Sequence, residues 1–243
     1  MKGFTYEIRT GETDMFGLLP PAGLLKACLH CNMMQTESEG LTAGRLKEEF
    51  GAVWMLGGVR LRQTKPVYEG ETLEVFVFSR GVEGCTYVRP IEVFKAGDRI
   101  SEVKLSYITV REKDRRILRP SAVEEFWQNP LPLSDTEAYK KITMPAEAAN
   151  AGSVTVRRSD CDINGHLSAF NYANLICEAL GWWENGPKIA STFQIDFRSE
   201  LLPGENVSLY ETHSGDAFTL KGCKENKTTA FTAECVMSRT GFK

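Results

Sequence analysis

The sequence of 243 residues predicts an α+β fold in which one unit is used twice. Three observations carry this expectation. A strand-turn-helix segment recurs at an offset of 148 residues, and a strand ending in Gly-Glu recurs at an offset of 134. After each helix the chain alternates like a run of antiparallel strands, with no further helix between them, which is the pattern of α+β and not of α/β proteins.

The first unit opens with a short strand, Tyr6 to Arg9, followed by Asp14-Met15-Phe16-Gly17-Leu18-Leu19. The second opens with Val154 to Arg157, followed by Asp162-Ile163-Asn164-Gly165-His166-Leu167. Arg9 thus meets Arg157, Asp14 meets Asp162, and Gly17 meets Gly165. Each turn runs into an apolar stretch with helical spacing: Ala22 to Gln35, carrying Leu24, Leu25, Cys28, Leu29 and Met33, and Ala169 to Trp183, carrying Tyr172, Leu175, Ile176, Ala179, Leu180 and Trp183. Val59-Arg60-Leu61-Arg62, ending at Glu69-Gly70-Glu71, then matches Phe193-Gln194-Ile195-Asp196, ending at Pro203-Gly204-Glu205. The difference between the two offsets leaves the first unit 14 residues longer, and Leu41 to Ala52 reads as an inserted short helix. Strands fit Thr72 to Phe78, Thr86 to Phe94 and Ser101 to Val110 in the first unit. In the second they fit Val207 to Glu211, Phe218 to Cys223 and Thr228 to Ser238. The expected divisions are residues 1–128, a surface-crossing linker at 129–150 rich in proline and alanine, and 151–243. The two units side by side predict one body of roughly twelve strands with two central helices.

Hydrophobic residues make up 42% and charged residues 25%, which excludes disordered and fibrous classes. No apolar run approaches the ~18 residues of a membrane-spanning helix. A net charge of −3 offers nucleic acid no global attraction. Met1 to Tyr6 leads straight into strand-like sequence without the apolar stretch of a signal peptide, so the expected compartment is the cytoplasm. Seven cysteines at irregular spacing fit reduced thiols. Cys28-Leu29-His30-Cys31 has redox spacing but lies in a helical pattern, and reads as two packed thiols.

The polar chemistry is concentrated in the second unit. Asp162, Asn164 and His166 sit at i, i+2 and i+4, and would share one face if the segment were extended. The first unit has Asp14, Phe16 and Leu18 at these positions. His166 is one of three histidines; His30 and His213 have no comparable neighbours. It can carry a proton near neutral pH, and Asn164 can donate a hydrogen bond without titrating. In Phe193 to Glu200, alternation places Gln194, Asp196, Arg198 and Glu200 on one face. The position equivalent to Glu200 in the first unit is Pro66, so the unit that lacks Asn and His also lacks Glu. That joint loss ties Asn164, His166 and Glu200 to one site. The competing reading is a polar turn that caps the following helix. Asp160-x-Asp162-x-Asn164-Gly165 also matches the first half of a calcium loop, but the twelfth position is Asn171 and a strand precedes it, so no metal is expected.

With these residues, the chain resembles the acyl-ACP thioesterases of plant plastids and bacteria, which are double hot-dog enzymes. Asp162-x-Asn164-x-His166 with Tyr172 downstream looks like the family's active-site segment, and Ala52-Val53-Trp54-Met55-Leu56 resembles the segment ahead of its first central strand. The likeness runs from about Phe4 to about Met237 with both halves in order. It implies a tandem hot-dog in which two long helices are each wrapped by antiparallel strands of one continuous sheet. It implies hydrolysis of the thioester between a fatty acyl chain and acyl carrier protein in fatty acid biosynthesis. Asp162, Asn164, His166 and Glu200 are then the catalytic set, Trp54 a substrate-binding residue, and the first half a lining for the acyl chain. Plant members carry Cys directly after the Glu, where this chain has Leu201, so the resemblance points to attack by water and not by a thiol. They also follow the His with paired asparagines, where this chain has Ser168-Ala169.

A water-based hydrolysis needs a base, an oxyanion site and protonation of the leaving thiolate. Glu200 is the expected base, directly or with His166. Asn164 is expected to hold the water or carbonyl, and the backbone N–H groups near Leu167 and Ser168 to hold the oxyanion. No cofactor is expected. The acidic carrier calls for a basic surface; Arg111, Lys113, Arg115, Arg116 and Arg119 form the densest cluster, with Lys140-Lys141 and Arg157-Arg158 as alternatives. The expected partners are acyl carrier protein and a fatty acyl thioester, with no nucleic acid or membrane, in a monomer or a homodimer. The alternatives are an acyl-CoA thioesterase with the same site, a hot-dog dehydratase, and a non-catalytic acyl-chain sensor.

Overall fold

The computed structural model describes residues 3–78, 81–127, 141–144, 147–184 and 186–240. The first half contains β1 (Gly3–Glu7), α1 (Pro21–Ser38), α2 (Ala43–Phe50), β2 (Ala52–Gln63), β3 (Thr72–Val77), β4 (Gly81–Glu83), β5 (Thr86–Lys95), β6 (Asp98–Arg111) and a short α3 (Glu124–Trp127). The second contains β7 (Ala149–Thr155), α4 (Ala169–Ala179), β8 (Lys188–Phe197), β9 (Asn206–Ser214), β10 (Ala217–Lys224) and β11 (Thr229–Arg239). The strands form one antiparallel sheet in the order β1-β3-β5-β6-β2-β8-β11-β10-β9-β7, with β4 paired to β5 off this path. Each half reads outward from the centre in the same order, so a pseudo-two-fold axis passes between β2 and β8. Its position is specific: Arg60 pairs Gln194, two residues separated by the repeat offset itself.

Backbone hydrogen bonds repeat with the sequence. Ile8 N–H donates to Glu71 O at 2.9 Å and Gly70 N–H to Ile8 O at 2.9 Å; Val156 to Glu205 at 3.0 Å and Gly204 to Val156 at 2.9 Å copy them. The inserted helix is α2, started by Thr42, whose side chain accepts from Arg45 N–H, and stopped by Gly51 in the left-handed region at φ 58°.

α1 starts at Pro21, whose fixed φ and missing N–H suit the first helical turn. It buries Leu24, Leu25, Ala27, Cys28, Cys31, Asn32 and Thr36. α4 buries Tyr172, Ala173, Ile176 and Cys177, and ends sooner than the periodicity to Trp183 suggests. Gly181 takes φ 57°, Leu180 N–H returns to Ile176 O and Trp182 N–H to Cys177 O, and Trp182 is buried as the chain turns back. Side chains from both helices and both halves of the sheet form one continuous core, from Phe4 and Leu73 to Val207 and Met237. A satellite cluster of Leu41, Leu46, Ala52, Tyr87 and Val123 lies under α2. Cys28 and Cys31 are buried and unbridged; burial pushes both thiols up, Cys31 to about 11, as packed thiols require.

Most of the expected linker at 129–150 lies outside the described residues, as does Lys140. Ile142 is buried, and its N–H donates to Asp196 Oδ2 at 3.3 Å, so the chain ahead of β7 touches the central strand β8. Strand β7 itself begins at Ala149, inside the expected linker.

One core and one sheet predict one unfolding unit. Phe193, buried at the β2–β8 junction opposite Leu61, is the probe. Phe193→Ala should cost about 3–5 kcal/mol in urea denaturation, with fluorescence and far-UV dichroism moving in one coincident transition. Separate transitions for the two halves would contradict the shared core.

Candidate active site

The segment Asp162 to His166 is a tight turn, not the extended run expected from its i, i+2, i+4 spacing. Asp162 N–H donates to His166 O at 2.8 Å and Gly165 N–H returns to Asp162 O at 3.0 Å, with Gly165 at φ 77°. The left-handed glycine is what closes this loop. Asp162 Oδ1 accepts from Asn164 N–H at 2.8 Å, and Asn164 Nδ2 lies 3.5 Å from Oδ2. Residues spaced for one face of a strand are therefore brought together by an Asx-type turn.

The first half builds the same turn from different residues. Asp14 N–H donates to Leu18 O at 2.7 Å, Gly17 N–H to Asp14 O at 2.9 Å, and Asp14 Oδ1 accepts from Phe16 and Leu18 N–H. Burial pushes the Asp14 carboxyl above its ordinary range, and its second oxygen is buried without a hydrogen-bond partner among the described residues. The scaffold is conserved between the halves while the side chains it presents differ.

Glu200 reaches this turn through a departure from alternation. β8 runs regularly from Thr192 to Phe197, and Gln194 Nε2 and Arg198 Nη2 both donate to the buried Asp196 carboxylate, at 3.1 and 2.8 Å. Arg198 N–H and Ser199 N–H then both donate to Ala230 O, at 2.8 and 3.0 Å. Two residues facing one is a bulge, and the extra residue reverses which face follows. Glu200 accordingly leaves the Asp196–Arg198 group, with which the sequence pattern placed it. Its Oε2 lies 3.3 Å from His166 Nε2. Leu167 N–H to Leu201 O, at 2.8 Å, fixes the two segments in register, as Leu19 N–H to Val67 O does at 2.8 Å in the first half.

Four sequence-predicted residues thus form two pairs on one turn: Asp162 with Asn164, and His166 with Glu200. No hydrogen bond among the described residues joins the Asn164 side chain to His166 or Glu200. Asp162 and Asn164 are exposed, whereas His166 and Glu200 are half-buried. Leu201 is fully buried in the core. Tyr172 packs edge-on against Phe197 and Phe231 and donates to Ser199 O at 3.4 Å, so it supports the backbone just before Glu200. Burial keeps its phenol protonated as a donor.

One expectation is corrected here. The amides of Leu167 and Ser168 are not open to an oxyanion: the first donates to Leu201 O, the second to Asp160 O at 3.1 Å. The next two amides, of Ala169 and Phe170 in the first turn of α4, have no acceptor among the described residues, as helix starts leave them. The supporting contact missed by sequence reasoning is Arg115, whose Nη1 lies 4.0 Å from Glu200 Oε1. It belongs to the basic cluster predicted as a surface, and no spacing rule links it to a residue 85 positions away.

Trp54 packs against the satellite cluster, its ring 6.2 Å from that of Tyr107. His30 meets the Tyr6 ring and His213 the Phe218 ring. A cavity of about 390 Å³ opens at the first-half turn, between α1 and α4, and none of the four predicted catalytic residues lines it. Its walls include Ala22 with Phe170 and Lys26 with Asn174, each pair related by the 148-residue offset, so equivalent positions of both helices contribute to it. Among the described residues no group of three or more His, Cys, Asp or Glu side chains is placed to hold a metal ion. No helix among them is long and apolar enough to cross a membrane.

Residues 143–239 match the family model of the acyl-ACP thioesterase C-terminal domain. No curated protein sequence matches the chain. Among solved structures, an acyl-ACP thioesterase from Bacteroides thetaiotaomicron is similar with a TM-score of 0.79 and 18% identity, over 98% of this chain and 97% of that one. The 12:0-ACP thioesterase from Umbellularia californica is similar with a TM-score of 0.82 and 14% identity, over 98% and 97%. The fold is a double hot-dog along its whole length, and the second half matches the C-terminal domain of the acyl-ACP thioesterases, which are thioester hydrolases.

The turn geometry predicts how its two copies respond to loss of the aspartate. Asp162→Ala removes the acceptor of Asn164 N–H and should lower stability by about 1–2 kcal/mol, while lowering thioesterase turnover because the turn carries His166. Asp14→Ala removes two such bonds and should lower the melting temperature at least as much. Thermal melts alongside turnover measurements check both.

Proposed function

We propose that the protein hydrolyses the thioester of fatty acyl-acyl carrier protein, releasing free fatty acid and carrier protein, in fatty acid biosynthesis in the cytoplasm. The observation that carries this reading is the 3.3 Å contact between His166 Nε2 and Glu200 Oε2, in the half that matches the thioesterase domain. In the other half Leu18 and Pro66 occupy the same scaffold positions and offer no proton chemistry.

In this mechanism Glu200 takes a proton from water, and the resulting hydroxide adds to the thioester carbon. The carbonyl oxygen becomes an oxyanion, for which the Ala169 and Phe170 amides are the available backbone donors, reinforced by the N-terminal end of the α4 dipole. Asn164 holds the water or the carbonyl. The C–S bond then breaks, the proton taken by Glu200 passes through His166 to the thiolate, and the carboxylic acid departs. Asp162 shapes the turn. Leu201, buried where plant members carry Cys, offers no thiol at that position. The reaction so written uses no metal or organic cofactor.

The first half, residues 1–128, serves in this reading as the non-catalytic unit that lines the acyl chain, with Leu25 and Leu29 of α1 facing the shared core. Residues 151–243 carry the chemistry and 129–150 connect the two. Trp54 enters as a substrate contact through the resemblance of its segment alone. Two halves in one chain already supply the pairing on which a hot-dog site depends, which fits a monomer or a homodimer. The carrier surface is the basic hairpin after β6. Asp114 engages Arg111 and Arg116 there, at 3.1 and 3.7 Å, while Lys113 and Arg119 make no ion pair among the described residues.

Incubating acyl carrier proteins from C4 to C18 with the protein, and matched acyl-CoAs alongside, should show loss of acyl mass from the carrier by mass spectrometry. Glu200→Gln should reduce kcat/KM by about 10²–10⁴-fold with an unchanged melt. Retention of near-native turnover would remove Glu200 as the base; acyl chains bound but never released would favour a sensor. Lys113→Glu with Arg119→Glu should raise KM for the carrier substrate, more so at low salt, and leave kcat on an acyl-pantetheine thioester unchanged.

A further inference from the structure

We propose that Arg115 of the first half is a positioning residue for Glu200 of the second, and that the inserted helix α2 exists in part to hold it there; the proposal rests on the reading of Glu200 as the base. The Glu200 carboxylate is divided between two partners. Oε2 faces His166 Nε2 at 3.3 Å and Oε1 faces Arg115 Nη1 at 4.0 Å. The carboxylate ends a loop and is about one-third exposed, so without a second contact it can rotate away from His166 into solvent. A cation on Oε1 opposes that rotation and leaves Oε2 for the proton transfer.

The route by which Arg115 arrives is over-determined. It is a non-glycine residue at φ 57°, a left-handed conformation that needs support from its surroundings. The support is local and then remote. Arg115 N–H donates to Arg111 O at 2.9 Å, Arg111 N–H to Arg116 O at 2.8 Å, and the Arg111 side chain pairs with Asp114 at 3.1 Å. Leu118 N–H donates to Thr109 O at 2.8 Å and closes the hairpin. The hairpin is then tied to α2: Glu112 N–H donates to the carbonyl of Gly51, the α2 cap, at 3.0 Å, and the Glu112 carboxylate pairs with Lys47 at 2.6 Å. Leu118 packs on the satellite cluster that α2 covers. The 14-residue difference between the halves therefore ends at the catalytic carboxylate. The non-catalytic half contributes a charge to the site of the other.

The test is a double-mutant cycle on acyl-carrier and acyl-pantetheine substrates. Arg115→Gln should lower kcat about 1.5–5-fold on both substrates, the range of an exposed ion pair, with KM changed less than about 1.5-fold. Arg115→Lys should recover part of the loss. In the Glu200→Gln background, Arg115→Gln should have no further effect, because it acts through a carboxylate no longer present. An additive loss in that background overturns the proposal. So does a rise in KM confined to the carrier substrate, which would make Arg115 a docking residue. A silent Arg115→Gln beside an inactive Glu200→Gln refutes the positioning role alone, whereas an active Glu200→Gln refutes the base assignment and this inference with it.

Discussion

The pairing of β2 with β8 is the constraint from which the rest of the molecule follows. Gly58 to Arg62 run against Asp196 to Thr192, and this short ladder joins two five-strand arrangements into one sheet. Both helices lie on the face that carries Val59, Leu61, Phe193 and Ile195, so one core serves both halves. The opposite face carries Asp196, which is almost fully buried and accepts from Gln194, Arg198 and the Ile142 amide, as a buried carboxylate requires. A charge at the junction is thus neutralised by its own strand and by the chain arriving from the first half. The strand that makes the junction also delivers Glu200 three residues past its end, so the position of its carboxylate is referred to the centre of the sheet.

Much of this was legible in the sequence because duplicated backbone leaves duplicated signals. The glycines at 17 and 165 and at 70 and 204 sit at positive φ in equivalent turns, and the two offsets in the sequence reappear as equivalent hydrogen bonds. The contrast of Asn164, His166 and Glu200 with Phe16, Leu18 and Pro66 singled out residues that the fold gathers around one turn. What sequence periodicity could not reveal were the places where backbone departs from it. Alternation assigned Glu200 to the face of Asp196, and one doubled acceptor at Ala230 reversed it. The i, i+2, i+4 spacing suggested an extended run, and a closed turn accomplishes the same gathering by hydrogen bonds to Asp162. The helix after the turn stopped at Ala179 because Gly181 could adopt a conformation that ends it.

The amides illustrate a different limit. Leu167 and Ser168 precede a helix and would be counted as free donors by any rule based on helix starts. Both are consumed in holding the turn, one by the Glu200 segment and one by Asp160. The same two bonds that remove them from the substrate are what fix His166 against Glu200. Donors available for charge stabilisation then begin one residue further along, inside α4. Which backbone groups are free is a property of tertiary hydrogen bonding, and no local sequence feature encodes it.

The asymmetry between the halves has a physical logic that a symmetric dimer could not use. In a homodimer every substitution appears on both sides of the axis, so a residue that improves one site must be tolerated at its twin. With both halves in one chain, Phe16, Leu18 and Pro66 can replace polar groups on one side while the other keeps them. The insertion of α2 follows the same freedom. It appears once, caps itself with Thr42 and Gly51, covers its own small core, and ties down the hairpin that follows β6. That hairpin crosses toward the other half and ends beside Glu200. The half without a His–Glu pair is therefore still joined to the pair: its turn shares the scaffold, its helix shares the core, and its inserted helix is tied to the hairpin that ends near the Glu200 carboxylate.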